Sequence, residues 1–331
     1  MQKLKSNKKI VNFFEFIKSK EFINNKKSVF FTYVAITLSA LIVLLFVIHT
    51  GYRLRDKMYV VETRINSIND FVNDVEKDID RGLYIASFRS ILALEEYMTT
   101  NGLFLEDVNS DFKEALLNGT VNNTYMNVIT NSSFKDWISK IEKEAIKIGI
   151  IINFTIENVK IYQINPWYVS VDLNISFNLS DEKRTSSWKK NKYLTTKINI
   201  EGFEDTLYPL NTYGRVFNII TKAPVTKFNL TYLKEHLNNS HYIASSLAPS
   251  FLMRLQNNLS SSPYGIESLV NLNKLAQQDV ITYDESNVDY IYFGELAISS
   301  CIVNETVNDP NFNWFRLDSP HLSIYDVNCL S

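Results

Sequence analysis

The sequence is poor in the residues from which metal and redox sites are built. Two Cys in 331 residues exclude a disulfide-dense scaffold and any cysteine-rich zinc or iron–sulfur centre. Four His leave little material for a histidine-based centre. Nine Gly, seven Pro and a 45% hydrophobic share exclude collagen-like, low-complexity and wholly disordered chains. A net charge of −2 supplies no general basic field for nucleic acid. No G-x-S-x-G, H-E-x-x-H, P-loop or G-x-G-x-x-G occurs. The expectation is a non-enzymatic protein with no cofactor, no metal and no nucleic-acid partner.

One further absence is local. Val29–Ile48 contains no charged residue. Twenty such residues in a helix reach about 30 Å, the thickness of a bilayer core. The segment is longer than the apolar region of a signal peptide, and no A-x-A site follows it before Tyr52 and Arg53. Residues 1–28 carry eight Lys against two Glu, a local charge of +6 that leaves −8 for the rest of the chain. Excess Lys on a short flank stays in the cytoplasm, although Arg53, Arg55 and Lys57 weaken the asymmetry. The reading is an uncleaved signal anchor in the cell membrane, single-pass, N-terminus inside and the remainder extracytoplasmic.

Five segments are expected: a basic cytoplasmic tail (1–28), a transmembrane helix (29–50), a long amphipathic helix (51–101), a helix plus antiparallel sheet (102–204) and a C-terminal α+β lobe (205–331). The fold class is α+β. Ile65, Ile68, Val72, Val75 and Ile79 step by three and four, which places them on one helical face. That stripe packs against the chain's own domain or against neighbouring copies, so it is the candidate self-association surface. Asn101 and Gly102 end the helix. Ser133 with Asp136 three residues on is an N-cap pattern for an amphipathic helix over 134–148, with Gly149 beyond its end. Strict alternation from Trp167 to Ser180 then predicts a strand with one buried and one wet face. It lies between an earlier strand reaching Tyr162 and a later one over 188–200, a β-meander. Beyond Gly202 short helices are expected near 208–221, 231–238, 248–257 and 267–277. Strands are expected at 289–293, 297–303 and 314–317.

Ten N-x-S/T sequons all lie beyond the span. Asn174 and Asn178 sit on the wet face of the alternating strand, where a glycan fits, and are the glycosylation candidates. Cys301 and Cys329 are the disulfide candidate. Closing that loop would contribute about 3–4 kcal/mol in the chain-entropy picture. His236 and His241, five residues apart, share no helix face. Asp318, His321, Ser319 and Ser323 form a hydrolytic group only if folding assembles them, and Ser319-Pro320 reads more simply as a helix start. The carboxylate pairs Glu95/Glu96, Asp78/Asp80 and Asp284/Glu285 read as solvated. Trp137, Trp167, Trp188 and Trp314 read as core before they read as a sugar-binding face.

Three stretches together resemble a known group: Glu201–Tyr208 (EGFEDTLY), Ala248–Leu255 running on to Ser262–Val270, and Val288–Phe293 with Cys301, Trp314–Asp318 and His321. They are similar to uncharacterised archaeal membrane-anchored surface proteins with one N-terminal span. The usual G-F-x-D-P-L-Y pattern has Thr206 in place of its Pro here. The resemblance implies a location and no activity. In architecture the chain also resembles type IV pilin-like subunits, with a basic leader, an apolar helix and an antiparallel sheet. It departs at the processing site, which reads Lys26-Lys27-Ser28, and no acid occurs within 28–48. The expected function is therefore a non-enzymatic surface protein in assembly or interaction, pilin-like or pilus-associated. Its expected partners are the membrane, further copies or other surface proteins. The alternative is a ligand- or glycan-binding adhesive ectodomain.

Overall fold

The structure is a computed structural model that describes residues 26–182, 186–294 and 298–330. The basic tail up to position 25, part of the 180–185 connection and Ala297 lie outside the described residues. The fold is α+β: a long N-terminal helix, then helices and antiparallel sheets. By its packing the chain divides into two units, one ending at Asp70 and the other beginning at Phe71.

The first unit is helical from Lys26 onward, in helix α1 (Lys26–Asn101). Its apolar segment leaves every large side chain from Val29 to Ile48 exposed, with Phe31 and Phe46 each at 70%. Among the described residues this is the one helix long and apolar enough to cross a membrane. Ile65 is also exposed, at 41%.

The second unit begins within α1, whose later residues are core. Val72, Val75, Ile79 and Leu83 are each at most 2% exposed. Within the second unit, Val72, Val75 and Ile79 of the stripe are thus covered by that unit's own packing. Gly82 shows how tight this contact is. A Cβ there would meet the Trp137 ring at 3.0 Å, while Trp137 Nε1 donates to Asp78 at 3.2 Å. Ion pairs Lys190–Glu76 (3.1 Å) and Lys192–Asp80 (3.2 Å) tie the same turns of α1 to the sheet.

α1 stops at Asn101, and Gly102 (φ 65°) donates back to the Met98 carbonyl. α2 (Val108–Asn118) is capped by Asp107, whose carboxylate accepts the Asn109 and Ser110 amides. The small ribbon β1 (Thr120–Val121) and β2 (Thr124–Tyr125) follows. α3 (Phe134–Lys147) opens with the reciprocal Ser133–Asp136 capping box. The main sheet has order β3-β4-β5: β3 (Ile150–Asn165), β4 (Tyr168–Asp181) and β5 (Ser187–Asn199), antiparallel throughout. In central β4, Val169, Val171, Leu173, Ile175, Phe177 and Leu179 are all within 1% of full burial, as a period of two requires. The β3–β4 register shifts near Glu157 and Ile164.

Phe88 of α1, Phe203 and Phe251 form an aromatic series, with centroids 5.0 and 6.1 Å apart, that joins α1 to the C-terminal part. That part contains α4 (Leu207–Asn211), α5 (Leu230–Asn239), β6 (Tyr242–Ala244), α6 (Phe251–Arg254) and β7 (Ile266–Ser268). It continues with α7 (Leu272–Gln277), α8 (Asp289–Tyr292), β8 (Ser300–Ile302), β9 (Arg316–Asp318) and α9 (Ser319–Tyr325). β6 pairs with β7 and β8 with β9. Two expectations fail here. The strand expected at 289–293 is a turn of helix, because the Asp289 carboxylate accepts its neighbour's amide and serves the buried cluster described below. The helix expected from Glu267 begins only at Leu272, since Ile266–Ser268 pairs with Tyr242–Ala244. Cys301 and Cys329 form a disulfide with Cα atoms 5.6 Å apart, beside a bridge between Val303 and Cys329.

The burial of the stripe yields a test. Val75→Asp with Ile79→Asp should destroy cooperative unfolding, because a buried polar group without a partner costs roughly 2–7 kcal/mol. Urea titration followed by Trp fluorescence reads it. A wild-type midpoint with an altered oligomeric mass would instead return the stripe to the role of an interface.

Candidate functional site

The polar residues of the C-terminal part converge in its interior. Arg254, at the end of α6, is fully buried. Its Nη1 meets Asp205 Oδ2 at 2.6 Å and Asp289 Oδ2 at 2.9 Å. Its Nη2 reaches Asp289 Oδ1 at 3.3 Å and donates to the Ile266 carbonyl. Each carboxylate has further donors. Asp205 accepts Tyr242 Oη at 2.8 Å and the Leu207 amide at 3.1 Å. Asp289 accepts the Ser268 amide at 3.0 Å, Ser268 Oγ at 2.9 Å and the Tyr290 amide at 2.7 Å. With the Ser268 hydroxyl proton committed to Asp289, Tyr208 Oη donates to Ser268 Oγ at 2.8 Å.

Local chain geometry makes this cluster possible. Asp205 sits in the turn before α4, which its carboxylate initiates through Leu207. β7 alternates its side chains, so Ser268 serves Arg254's cluster while Glu267 serves a second one. There His321 Nδ1 lies 2.7 Å from Asp318 Oδ2, and Nε2 lies 3.3 Å from both Glu267 Oε2 and Tyr290 Oη. Tyr325 Oη donates to Glu267 at 3.1 Å and Ser286 Oγ to Asp318 at 2.6 Å.

Burial and charge set the protonation states. Burial opposes the Arg254 charge, but Asp205 and Asp289 outweigh it and the guanidinium stays ionised. Burial would also lower His321, yet hydrogen bonds to Asp318 and Glu267, and their charges, raise it to about 9. His236 behaves oppositely. It packs edge-on against Phe228 (5.0 Å) and tilted against Tyr325 (5.7 Å) without a hydrogen-bond partner, and burial, aided by His241, lowers it to about 3. Glu95 of α1 is buried beside Glu204 and Asp205 rather than solvated. Burial and those charges raise its carboxyl well above the ordinary range.

Asp318 and His321 meet, but no serine hydroxyl joins the ring: Nε2 faces Glu267 and Tyr290, and Ser323 Oγ donates to the Pro320 carbonyl. The α9 helix starts at Ser319 with Asp318 as its cap, one residue before the expected position. The His236 and His241 rings are 6.3 Å apart, and no group of three metal-ligating side chains forms among the described residues. Asn178 is exposed, whereas Asn174 is half-buried and donates to Glu157 at 2.6 Å. Trp137, half-buried, stacks on Phe134 at 5.2 Å. The residues of the buried clusters come from the three stretches singled out above, with Tyr242, Ser286 and Tyr325 added. Arg254 carried one readable signal, a lone charge within the apolar run 251–255.

The second feature is open to solvent. A cleft of about 410 Å³ lies between residues 210–215 and 279–293, lined by Tyr213, Arg215, Asp279, Tyr283, Tyr292 and Phe293 among others. Of its lining, only Tyr292 and Phe293 fall in a stretch singled out in the sequence. No protein-family model, curated protein or solved structure matches this chain.

Two predictions follow from the clusters. Arg254→Met leaves two buried carboxylates facing each other and should cost about 3–5 kcal/mol. Adding Asp205→Asn and Asp289→Asn should recover much of that loss, as measured by urea denaturation. A cost below about 1 kcal/mol for the single variant would contradict the assignment. The second concerns pH. An unfolded His titrates near 6.5. His321 binds its proton more tightly when folded, so its stabilisation is full below about pH 6.5 and is lost as pH rises towards 9. His236 binds its proton less tightly when folded, so stability falls as pH drops from about 6.5 towards 3. Denaturation midpoints should peak near pH 6.5. His321→Gln should flatten the alkaline limb and His236→Phe the acid limb; limbs unchanged in these variants would refute the assignment.

Proposed function

We propose that this chain is a membrane-anchored surface protein, held by Val29–Ile48 with its N-terminus in the cytoplasm, that acts in assembly or interaction rather than catalysis. The carrying observation is the uncharged helical segment whose apolar side chains are all exposed. Exposed apolar area costs about 25 cal/mol per Å² in water and nothing comparable in hydrocarbon. The +6 charge of residues 1–28 supports the orientation. The Cys301–Cys329 disulfide supports an oxidising compartment for the remainder. The sequons beyond the span agree with it.

The buried clusters support a structural reading of the C-terminal part. Arg254, Asp289 and His321 are each at most 1% exposed, so a substrate would have no path to them. A role in interaction therefore falls to surfaces elsewhere than the α1 stripe and the polar interior. A pilin-like or pilus-associated role rests on element order alone. The second reading, a ligand- or glycan-binding ectodomain, is favoured by the open cleft at Tyr213 and Tyr283.

Protease digestion of intact cells and of inverted membrane vesicles tests the placement. Digestion from outside should remove the disulfide-linked C-terminal part and spare a fragment containing residues 1–48, which resists carbonate extraction. Leu41→Arg with Leu45→Arg should release the protein into the soluble fraction, since a central Arg costs roughly 2.5–3.5 kcal/mol on insertion scales. Protection of the C-terminal part in intact cells, with digestion only in inverted vesicles, would reverse the orientation.

A further inference from the structure

We infer that the cleft between residues 210–215 and 279–293 is a binding site for a neutral saccharide. Four observations meet there. The first is strain. Among the described residues, the non-glycine positions in the left-handed region are Asn, Asp or Ser with one exception, Tyr213 at φ 54°. Short polar side chains tolerate that region, and a tyrosine does so at a cost. Tyr213 is nevertheless 89% exposed, so packing gives no return for it. A strained residue holding an aromatic ring in solvent at a cleft rim points to something that ring meets.

The second observation is the wall opposite. Asp279 is also left-handed, at φ 54°, and Arg215 Nη1 donates to its carbonyl at 2.7 Å. That bond ties one wall to the other and presents a guanidinium and a carboxylate at the rim. The third is the aromatic lining. Tyr283 is 54% exposed, and its ring centroid lies 6.4 Å from that of Tyr292. The Tyr283 amide donates to Tyr292 Oη at 3.1 Å, and Phe293 packs against Tyr292 at 5.4 Å. The lining is thus fixed by its own contacts.

The fourth is size and charge. About 410 Å³ falls within the range of small-molecule clefts, roughly 300–1,000 Å³. Arg215 and Asp279 cancel, so the rim favours neither an anion nor a cation. One guanidinium beside a carboxylate is a poor phosphate site, and a single carboxylate is a poor metal site. A purely apolar ligand would strand both charges. What suits the lining is a neutral molecule with flat C–H faces for the tyrosines and paired hydroxyls for Arg215 and Asp279. A saccharide has both.

This names a ligand class for the interaction role proposed above and rests on that role only for where the ligand is met. Binding in solution tests the cleft and protease accessibility tests the placement, so either can fail alone. The test uses the full chain in a detergent without a sugar headgroup. The probes are methyl pyranosides of glucose, galactose, mannose and N-acetylglucosamine, with the corresponding disaccharides, followed by saturation-transfer NMR and calorimetry. At least one neutral probe should bind with Kd below about 10 mM. Tyr213→Gly should weaken it about tenfold or more while leaving the unfolding midpoint unchanged or higher, because Gly accepts φ 54° freely. Asp279→Asn should weaken it similarly. No binding by any neutral probe, tighter binding of glucuronate or inorganic phosphate, or binding that survives both substitutions would overturn the assignment.

Discussion

The fully buried guanidinium of Arg254, held between Asp205 and Asp289, is the constraint around which the C-terminal part is arranged. A charge in that position is tolerable only if its partners are placed within a few tenths of an ångström and satisfied in turn. The partners come from elements far apart in the chain, 49 and 35 residues away. Meeting that requirement fixes the turn at Asp205, the short strand at Ser268 and the helical turn at Asp289 together. Glu267 and Tyr290, each next in sequence to a member of the first cluster, extend the same geometry to His321. The long helix joins in through Glu95, which lies against Glu204 and Asp205, and through the Phe88–Phe203–Phe251 series.

How much of this could be read from the sequence depends on the range of the interaction. Features set by neighbouring residues were legible: the uncharged run at Val29–Ile48, the helix end at Asn101 and Gly102, the Ser133–Asp136 cap and the alternating strand β4. Features set by distant partners were not. The aromatic run at 289–292 has the composition of a strand, and its helical turn follows from Asp289 being drawn to Arg254. The Ile68–Ile79 stripe shows helical spacing, but spacing alone does not say whose surface covers it. Glu95 looks solvated beside Glu96 and is buried, because the chain from Phe203 to Asp205 lies over that face of α1. The cleft was not legible for the same reason: its walls are brought together across 64 residues, at Arg215 and Asp279.

The N-terminal apolar helix is a matter of solvent: on the reading proposed above, its exposed side chains are stable where the solvent is hydrocarbon. The interior clusters are a matter of specificity. Their charges are matched by donors and buried, which suits a rigid support. On such a support a loop can hold Tyr213 in an unfavourable conformation, because the elements on either side do not yield. The buried charge keeps such loops in place.

Native-state hydrogen exchange of the Ser268 amide, which donates to Asp289, tests this account most directly. If the buried cluster is integral to one cooperative unit, that amide exchanges only through global unfolding. Its free energy of opening then equals that of the Leu173 and Ile175 amides in the central strand. Exchange of Ser268 through a separate opening of much lower free energy, with Leu173 and Ile175 still protected, would contradict the account. The cluster would then be a local feature on which the rest of the fold does not depend.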